Sequence, residues 1–273
     1  MTERLDRLIL GCGKLDPVGD RAGAVKLLEA AYASGIRRFD LAPLYGHGLA
    51  EKLVGEVFRD CRDTLDITTK AGLARPHQPT GAKALLLSVK ATLKKWNGLD
   101  RLRKQVAADH LQKSHSTGNM ALEFLRASFD ESLAQLGANR ISTLLLHEAH
   151  GQLPDDVQSW LAGLVQQGVI RDYGCGTGGQ LAECLNLGAG AVMQFRYDPK
   201  DAPATRALAE SGCRLRIHGV FRGDSAILRE DQRWEGFDAV LGMPNTAIVF
   251  ATGKISRLTE IRERYLSLMK RTA

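Results

Sequence analysis

Features that mark several other classes of protein are missing from this sequence. Its cysteines are odd in number, scattered and without a C-x-x-C pair; they are Cys12, Cys61, Cys175, Cys184 and Cys213. A disulfide framework or a thiolate zinc site is therefore not expected, and small buried thiols in a reducing cytoplasm fit the pattern. The N-terminal residues mix charges and lack the apolar run of a signal peptide. No apolar stretch reaches the roughly 18 residues that cross a membrane, so we expect a cytoplasmic protein.

Aromatic residues are few, at 6% of the chain, and negative charge is scarce in one segment. Residues 75–118 hold nine basic and two acidic side chains, a net charge of +7, whereas the whole chain is +6. The segment contains one aromatic residue, Trp96, and no stacking pattern, so nucleic-acid binding is not expected. Three interpretations stay open: a solvated face, which is the favoured one, a lid that steers an anionic substrate, or a docking surface for an acidic partner or a membrane.

Length and composition point to one globular domain. The chain has 273 residues, of which 44% are hydrophobic and 25% charged, and we treat residues 1–273 as a single unit. Short apolar or β-branched runs alternate with helical patterns. The predicted strands are 7–11, 36–40, 65–70, 141–147, 169–174, 191–195, 213–217 and 246–251. Eight strands with intervening helices favour a (β/α)8 TIM barrel of the α/β class, with an open doubly wound sheet as the structural alternative.

The helical patterns between strands three and four are of two kinds. Residues 119–137 carry apolar side chains at helical spacing, and Gly137 stands where a C-cap belongs. Before them, residues 83–96 form an amphipathic pattern and residues 99–110 a weaker one. We therefore predict that residues 75–118 are a basic helical insertion, which in a barrel rises from the C-terminal mouth, where functional loops lie.

Four chemically unlike side chains stand at the ends of consecutive predicted strands. Asp40, Lys70 and His147 close strands two, three and four, and Tyr45 follows in the loop after strand two. Neighbouring parallel strands are about 4.8 Å apart, so all four can converge at one barrel mouth. A tyrosine has a pKa of about 10, and the Lys70 ammonium is expected to lower that of Tyr45. With Asp40 holding Lys70 and His147 orienting a carbonyl oxygen, the arrangement indicates carbonyl chemistry.

Each of these residues taken singly also fits a structural role, such as a helix cap, a surface charge or a packed side chain. Their joint position at successive strand ends is what favours a functional site. A competing pattern is His147, Glu148 and His150, two histidines and a carboxylate that could hold a metal. A strand places neighbouring side chains on alternating faces, and the sequence offers no second ligand cluster, so no metal is expected.

Longer motifs follow one another along the chain. They are F-D-x-A-P-x-Y-G-x-G-x-x-E at 39–51, T-K at 69–70, S-L-x-x-L-G at 132–137 and L-L-H at 145–147, with Gln194 ending strand six. In this order they resemble the aldo-keto reductase superfamily, most of all its bacterial sugar and aldose dehydrogenase-like members. The likeness covers most of the chain and is weakest in the basic segment. It implies a (β/α)8 barrel with Asp40, Tyr45, Lys70 and His147 as the catalytic tetrad.

The resemblance also implies hydride transfer between a nicotinamide and a carbonyl or alcohol, with Tyr45 as proton donor or acceptor. No G-x-G-x-x-G follows the first predicted strand, so the Rossmann mode of cofactor binding is not indicated. The implied cofactor-binding residues are Gly13, Gln194, Thr252, Lys254 and Arg257. The last three, at a predicted helix N-terminus, would hold the adenosine end and its 2′-phosphate, which favours NADP (NADPH) over NAD.

Two positions depart from the family pattern. A Ser-Asn pair after strand five is replaced by Gly176-Thr177, and an aromatic residue after strand seven is replaced by His218. Altered nicotinamide binding is therefore expected, and a cofactor-binding or sensing barrel with little turnover is a second hypothesis. A metal-dependent barrel hydrolase is a third. The expected partner is a small carbonyl or sugar substrate, which the basic segment would suit if it is anionic; neither nucleic acid nor a membrane is expected.

Overall fold

The strands close into a barrel. The computed structural model describes residues 5–77, 81, 117–188, 190–221 and 234–272. Eight parallel strands follow one another around the barrel in chain order, and the eighth pairs with the first. They are β1 (Leu8–Gly11), β2 (Arg38–Asp40), β3 (Asp66–Ala71), β4 (Ile141–His147), β5 (Ile170–Gly176), β6 (Val192–Arg196), β7 (Arg214–His218) and β8 (Thr246–Phe250). The predicted (β/α)8 barrel is confirmed, and the open doubly wound sheet is wrong.

Helices of the described residues connect these strands, and the last of them follows β8. They are α1 (Arg21–Ala33), α2 (Ala50–Val57), α3 (Leu122–Leu136), α4 (Asp155–Gln166), α5 (Ala202–Glu210), α6 (Glu235–Leu241) and α7 (Ile255–Thr272). Helix α1 begins where the Asp20 carboxylate accepts the Gly23 N–H at 3.0 Å. Helix α3 ends at Gly137, whose φ of 59° is the left-handed conformation that glycine adopts without a Cβ clash. The predicted end of that helix is therefore confirmed.

Most of the predicted basic insertion lies outside the described residues. Residues 75–77 at its start and 117–118 at its end are described, and they are not helical. The two helices expected at 83–96 and 99–110 fall in the part that is not described, and they stay predictions. Within the described ranges, no helix is long and apolar enough to cross a membrane.

The register of the strands sets the height at which side chains enter the barrel mouth. Lys70 pairs with Leu145 of β4, and His147 pairs with Gly176 of β5, which in turn pairs with Gln194 of β6. Outside the barrel wall, the apolar faces of the helices pack on the strands, and large side chains such as Phe129 and Phe237 are buried there. Burial of this apolar layer stabilises the barrel and holds the strand ends in place.

The barrel interior also contains a charged side chain. Arg216 of β7 is 4% exposed and donates to the hydroxyls of Thr68 and Thr143, the latter at 2.7 Å. Burial and the neighbouring Arg38 lower the pKa of Arg216 to about 10, which still leaves it charged at neutral pH. A buried guanidinium needs such partners, because an unpaired one would cost several kcal/mol or more. Arg216 thus crosslinks three strands of the barrel.

Candidate active site

Three consecutive strands bring three of the four predicted catalytic groups to one end of the barrel. Asp40 is the last residue of β2, Lys70 precedes the last residue of β3, and His147 is the last residue of β4. Parallel strands point the same way, so their carboxyl ends share one mouth. The fourth group, Tyr45, opens a short 3-10 turn, Tyr45–Gly48, that follows β2.

Lys70 is at the centre of the group. It is 1% exposed, and its Nζ donates to both carboxylate oxygens of Asp40 and to the carbonyl of Leu41, each at 2.8 Å. The Tyr45 hydroxyl lies 3.3 Å from the same Nζ. Burial by itself lowers the pKa of Lys70, but Asp40 and Tyr45 together outweigh it and raise that pKa above its ordinary value. Lys70 is therefore an ammonium at neutral pH.

The pKa of Tyr45 moves in the opposite direction to the sequence-based expectation. Burial of the hydroxyl raises its pKa above the ordinary value of 10.0, and this effect exceeds the lowering by Lys70; Asp40 raises the pKa further. Lys70 acts in the expected direction, yet the expectation of a lowered pKa is wrong, because desolvation penalises the phenolate more. Tyr45 is therefore a neutral phenol at neutral pH, a form that can donate a proton.

His147 is a neutral imidazole. It is 8% exposed, and burial, together with the positive charge of Lys70 and the neighbouring His218, lowers its pKa to about 3. Its Nδ1 is buried and has no hydrogen-bond partner among the residues that the structure describes. Buried polar atoms are nearly always paired, so such an atom at the barrel mouth marks a place where a ligand or water is accommodated.

We expect His147 to make the protein sensitive to acid. Histidine in the unfolded chain takes up its proton near pH 6.5, whereas buried His147 does so only near pH 3. The stability that neutral His147 contributes is therefore fully present above pH 6.5 and is lost as the pH falls toward 3. We expect urea unfolding across this pH range to show a smaller fall in the free energy of unfolding for His147→Gln than for the wild type. The difference should be on the order of a few kcal/mol. His150→Gln, at an exposed position, is the control; equal pH slopes for both variants and the wild type would contradict the assignment.

At the position of the family's Ser-Asn pair, the loop after β5 is organised by Glu148. The Thr177 hydroxyl donates to Glu148 Oε2 at 2.7 Å, and the Gly178 N–H donates to Oε1 at 2.6 Å. His218 Nε2 lies 3.0 Å from the Thr177 carbonyl, which can only accept, so Nε2 carries the hydrogen. The Thr177 hydroxyl thus uses its only hydrogen on Glu148 and accepts the Gly179 N–H at 2.9 Å, so it cannot also donate to a ligand in this conformation.

Two other predicted residues lie around the same mouth. Gln194 is in the middle of β6 rather than at its end, and its Oε1 is buried without a hydrogen-bond partner in the described part of the chain. Beside it, Gly176 leaves the strand end free of a side chain: a Cβ there would lie 3.7 Å from Gln194 Cβ and from Lys70 Cε. Gly13 packs on Tyr45, since its Cβ would be 3.6 Å from the ring. An unpaired acceptor beside a bare strand end suits an amide N–H donor of a ligand.

The remaining predicted residues stand where α7 begins. Thr252 is buried, and its hydroxyl oxygen accepts the Lys254 N–H at 3.0 Å. Lys254 itself is exposed. The Arg257 guanidinium lies 4.7 Å from the ring centre of Phe221 and 4.8 Å from that of Trp234, and it pairs with Glu260 at 2.6 Å. These contacts orient Arg257 at the first turn of the helix, where backbone N–H groups favour an anion.

The side chains of the competing metal pattern, His147, Glu148 and His150, are not arranged around a common point. Glu148 turns both carboxylate oxygens to Thr177 and Gly178, while His150 is exposed. Over the described ranges, no group of three or more histidine, cysteine, aspartate or glutamate side chains is placed to hold a metal ion. All five cysteines are free thiols.

The sequence motif at 39–51 ends in Glu51 but assigns it no role, and Arg75 was counted with the basic segment, for which a solvated face was the favoured interpretation. That interpretation is wrong for Arg75. Its side chain is 9% exposed and pairs at 2.5 Å with Glu51, which is fully buried on α2. A signal for Glu51 was present, because it precedes Val54 by three positions and thus falls on the apolar face of α2, where a carboxylate needs a partner.

The fold and these side chains define a class of protein, a (β/α)8 barrel with an acid, a phenol, an ammonium and an imidazole gathered at its C-terminal mouth. The chain belongs to the Aldo/keto reductase family, whose sequence pattern matches residues 7–197, more than half of its length. Members of this family are NAD(P)-dependent oxidoreductases that act on carbonyl or sugar substrates. The matched range contains the four catalytic candidates, whereas the start of α7 lies beyond it.

Individual relatives are similar over part of the chain. A pyridoxal 4-dehydrogenase from Microbacterium luteolum is 32% identical over 130 residues, and a D-threo-aldose 1-dehydrogenase from Pseudomonas sp is 36% identical over 131 residues. Each match covers 47% of this chain and 34% of the relative, so the chain spans about a third of the length of these proteins. The solved structure of an aldo-keto reductase from Bacillus halodurans aligns with a TM-score of 0.66 at 18% identity, covering 94% of this chain and 85% of that one. This likeness concerns the fold.

Proposed function

We propose that this protein is an NAD(P)(H)-dependent oxidoreductase that transfers a hydride between nicotinamide and a carbonyl or alcohol, with Tyr45 as the general acid and base. One observation carries the proposal: the buried Lys70 ammonium lies between the Asp40 carboxylate and the Tyr45 hydroxyl, at 2.8 Å and 3.3 Å. This contact couples a cation to a neutral phenol at the barrel mouth, where proton donation to a substrate is required.

The four residues have separate tasks in this proposal. Tyr45 donates its proton to the carbonyl oxygen of the substrate, and Lys70 stabilises the phenolate that remains. Asp40 keeps Lys70 charged and in place. His147, neutral because of its burial, hydrogen-bonds the substrate oxygen without adding a second positive charge beside Lys70. In the oxidative direction Tyr45 must first lose its proton, so alcohol oxidation is expected to increase with pH.

The residues at the mouth fit a nicotinamide cofactor. When bound, the nicotinamide supplies or accepts the hydride. The unpaired Gln194 Oε1 suits its carboxamide, and Gly176 and Gly13 leave room beside Lys70 and Tyr45. Thr252, Lys254 and Arg257 would hold the adenosine end at the start of α7. Two cations there favour the 2′-phosphate of NADP(H).

The substrate class is proposed from the relatives and from charge. Their names, a pyridoxal dehydrogenase and an aldose dehydrogenase, favour a small carbonyl compound or a sugar. The net charge of +7 over residues 75–118 would raise the local concentration of an anionic substrate if that segment lies near the mouth.

A fluorescence titration with NADPH and NADH tests the cofactor assignment directly. We expect NADPH to bind at least about tenfold more tightly, because charge-assisted bonds to the 2′-phosphate contribute about 1.5–3 kcal/mol. The double variant Lys254→Ala with Arg257→Ala should lose this preference and keep its NADH affinity. Arg262→Ala on the same helix, where Arg262 donates to the Ser34 carbonyl, is the control. Equal binding of the two cofactors by the wild type would contradict the NADP assignment, and binding of neither would contradict the oxidoreductase.

A second function, a barrel that binds the cofactor and hardly turns over, is favoured by one observation. The Thr177 hydroxyl at the position of the family's Ser-Asn pair is engaged by Glu148, and Gly176 offers no hydroxyl at all. Tight NADPH binding with no reduction of aldoses, aldehydes or ketones at any pH would favour this function over the enzyme.

A further inference from the structure

The turn that carries Tyr45 contains one residue, His47, in an unfavourable backbone conformation. Gly46 and His47 have φ of 58° and Gly48 has φ of 84°, so three consecutive residues are in the left-handed region. For His47, which is not glycine, this conformation is unfavourable. The turn itself closes with the Leu49 N–H donating to the Gly46 carbonyl at 3.2 Å. Gly46 and Gly48 adopt the left-handed conformation without a Cβ clash, whereas His47 stays in it only where the surrounding structure holds the turn.

Arg75, in the loop after β3, supplies that hold. Its Nη1 donates to the Gly48 carbonyl at 2.8 Å and lies 3.4 Å from the Pro43 carbonyl, so it contacts the chain on both sides of Tyr45. Its aliphatic part packs on the turn as well, because a Cβ on Gly48 would come within 3.1 Å of Arg75 Cγ. A planar guanidinium can make these bonds at once, whereas a lysine ammonium is a single point of charge.

Two carboxylates fix Arg75 in turn. Its Nη2 pairs with Glu51 at 2.5 Å, and its Nε lies 2.6 Å from the half-exposed Glu131, a charge contact in which Nε makes no hydrogen bond. Glu51 also accepts a hydrogen bond from the hydroxyl of Thr69, the residue next to Lys70 on β3. A continuous set of buried polar contacts therefore runs from the Tyr45 turn through Arg75 and Glu51 to the strand that carries Lys70.

We propose that Arg75 is a positioning residue that sets the 3.3 Å separation between the Tyr45 hydroxyl and Lys70 Nζ. The proposal rests on the proposed role of Tyr45 as proton donor. Lys70 opposes the rise that burial causes in the pKa of Tyr45, and this effect falls with distance. Loosening Arg75 should therefore move the turn away from Lys70 and leave Tyr45 a weaker acid.

Arg75→Lys tests this proposal, because it keeps the positive charge and removes the planar guanidinium with its several N–H donors. The chain has five tyrosines, so protein labelled at tyrosine Cζ gives a short list of NMR signals, and Tyr45→Phe identifies that of Tyr45. In ligand-free Arg75→Lys we expect the Tyr45 signal to shift or broaden at neutral pH and to titrate at higher pH than in the wild type. With NADPH and glyceraldehyde, kcat should fall about tenfold, and the Kd for NADPH should stay within about twofold.

Arg62→Lys is the matched control. Arg62 also donates to backbone carbonyls, those of Gly55 on α2 and of Gly137, but at the opposite end of the barrel. Its variant should lower Tm to a similar extent while leaving the Tyr45 signal and kcat at wild-type values. An unchanged Tyr45 signal in Arg75→Lys, or the same change in both variants, would overturn the proposal.

A second variant guards against misfolding. If Arg75→Lys does not fold, Glu131→Gln replaces it, since Glu131 is half-exposed and its loss loosens Arg75 from one side only. The expected change has the same direction, with kcat lower by about two- to threefold; an unchanged Tyr45 signal again overturns the proposal. The NMR comparison needs no turnover. If the wild-type protein reduces no carbonyl, the proposed function is refuted. The NMR comparison of the wild type with Arg75→Lys would then still decide whether Arg75 positions Tyr45.

Discussion

A Tyr45→Phe protein should lose nearly all turnover while keeping its cofactor. The substitution removes the hydroxyl that lies 3.3 Å from Lys70 Nζ and leaves the ring that packs on Gly13. A positioned general acid contributes between about one hundredfold and ten thousandfold to a rate, so kcat for the reduction of glyceraldehyde should fall by that range. The Kd for NADPH, measured by fluorescence, should stay within about twofold, because the ring and its contacts are retained.

Tyr173→Phe is the control for this experiment. Tyr173 is a partly buried tyrosine of β5 that lies below the mouth, and the loss of its hydroxyl should leave kcat unchanged. Full activity in Tyr45→Phe would refute the assignment of Tyr45. A fall in both kcat and NADPH affinity would instead place Tyr45 in cofactor binding.

Lys70→Met should destabilise the protein and abolish turnover together. Methionine is unbranched and only one atom shorter than lysine, but it removes three hydrogen bonds of 2.8 Å and leaves the Asp40 carboxylate, 2% exposed, without its cation. Breaking a buried ion pair in this way costs about 3–5 kcal/mol. Urea unfolding should show that loss in the free energy of unfolding, and steady-state kinetics should show a kcat near background.

The double variant Lys70→Met with Asp40→Asn separates stability from chemistry. Neutralising the orphaned carboxylate should restore most of the stability, since replacing a whole buried ion pair is often neutral. Turnover should stay lost, because the cation next to Tyr45 is still missing. Recovery of activity in the double variant would show that Lys70 serves the fold alone.

The raised pKa of Lys70 also predicts how the stability of the protein changes at high pH. The pKa of Lys70 is raised in the folded state above the ordinary value of 10.5. Its contribution to stability is therefore fully present below pH 10.5 and is lost as the pH rises through the folded value.

Much of the candidate site could be predicted from the positions at which the strands end. The alternation of apolar runs and helical patterns predicts eight parallel strands, and in a closed barrel the carboxyl ends of all of them share one mouth. Asp40, Lys70 and His147 needed only that rule, because each stands within one residue of the end of its strand. To predict the position of Tyr45, the short loop after β2 had to be considered as well. The bounds of the strands differ from the predicted ones by a residue or two, which moves Gln194 into the middle of β6.

Contacts between distant segments could not be predicted in this way. Arg75 lies 24 positions from Glu51 and 27 from Gly48, and nothing in the sequence around it distinguishes it from the other cations of the basic segment. Thr177 and Glu148 are 29 positions apart, and their hydrogen bond occupies the one hydrogen that the Thr177 hydroxyl could donate to a ligand. Pairings of this kind depend on the relative placement of loops, which local patterns do not encode.

The sequence by itself determined the barrel, the family and the four side chains that meet at the mouth, because strand periodicity and motif order are local properties of the chain. Only the tertiary structure decided the electrostatic state of those side chains. The ammonium next to Tyr45 lowers its pKa as expected, yet burial raises it more. Desolvation depends on every atom packed around a group, and these atoms come from segments far apart in the chain. Whether a group is charged in a fold is therefore decided by its surroundings and not by its neighbours in sequence.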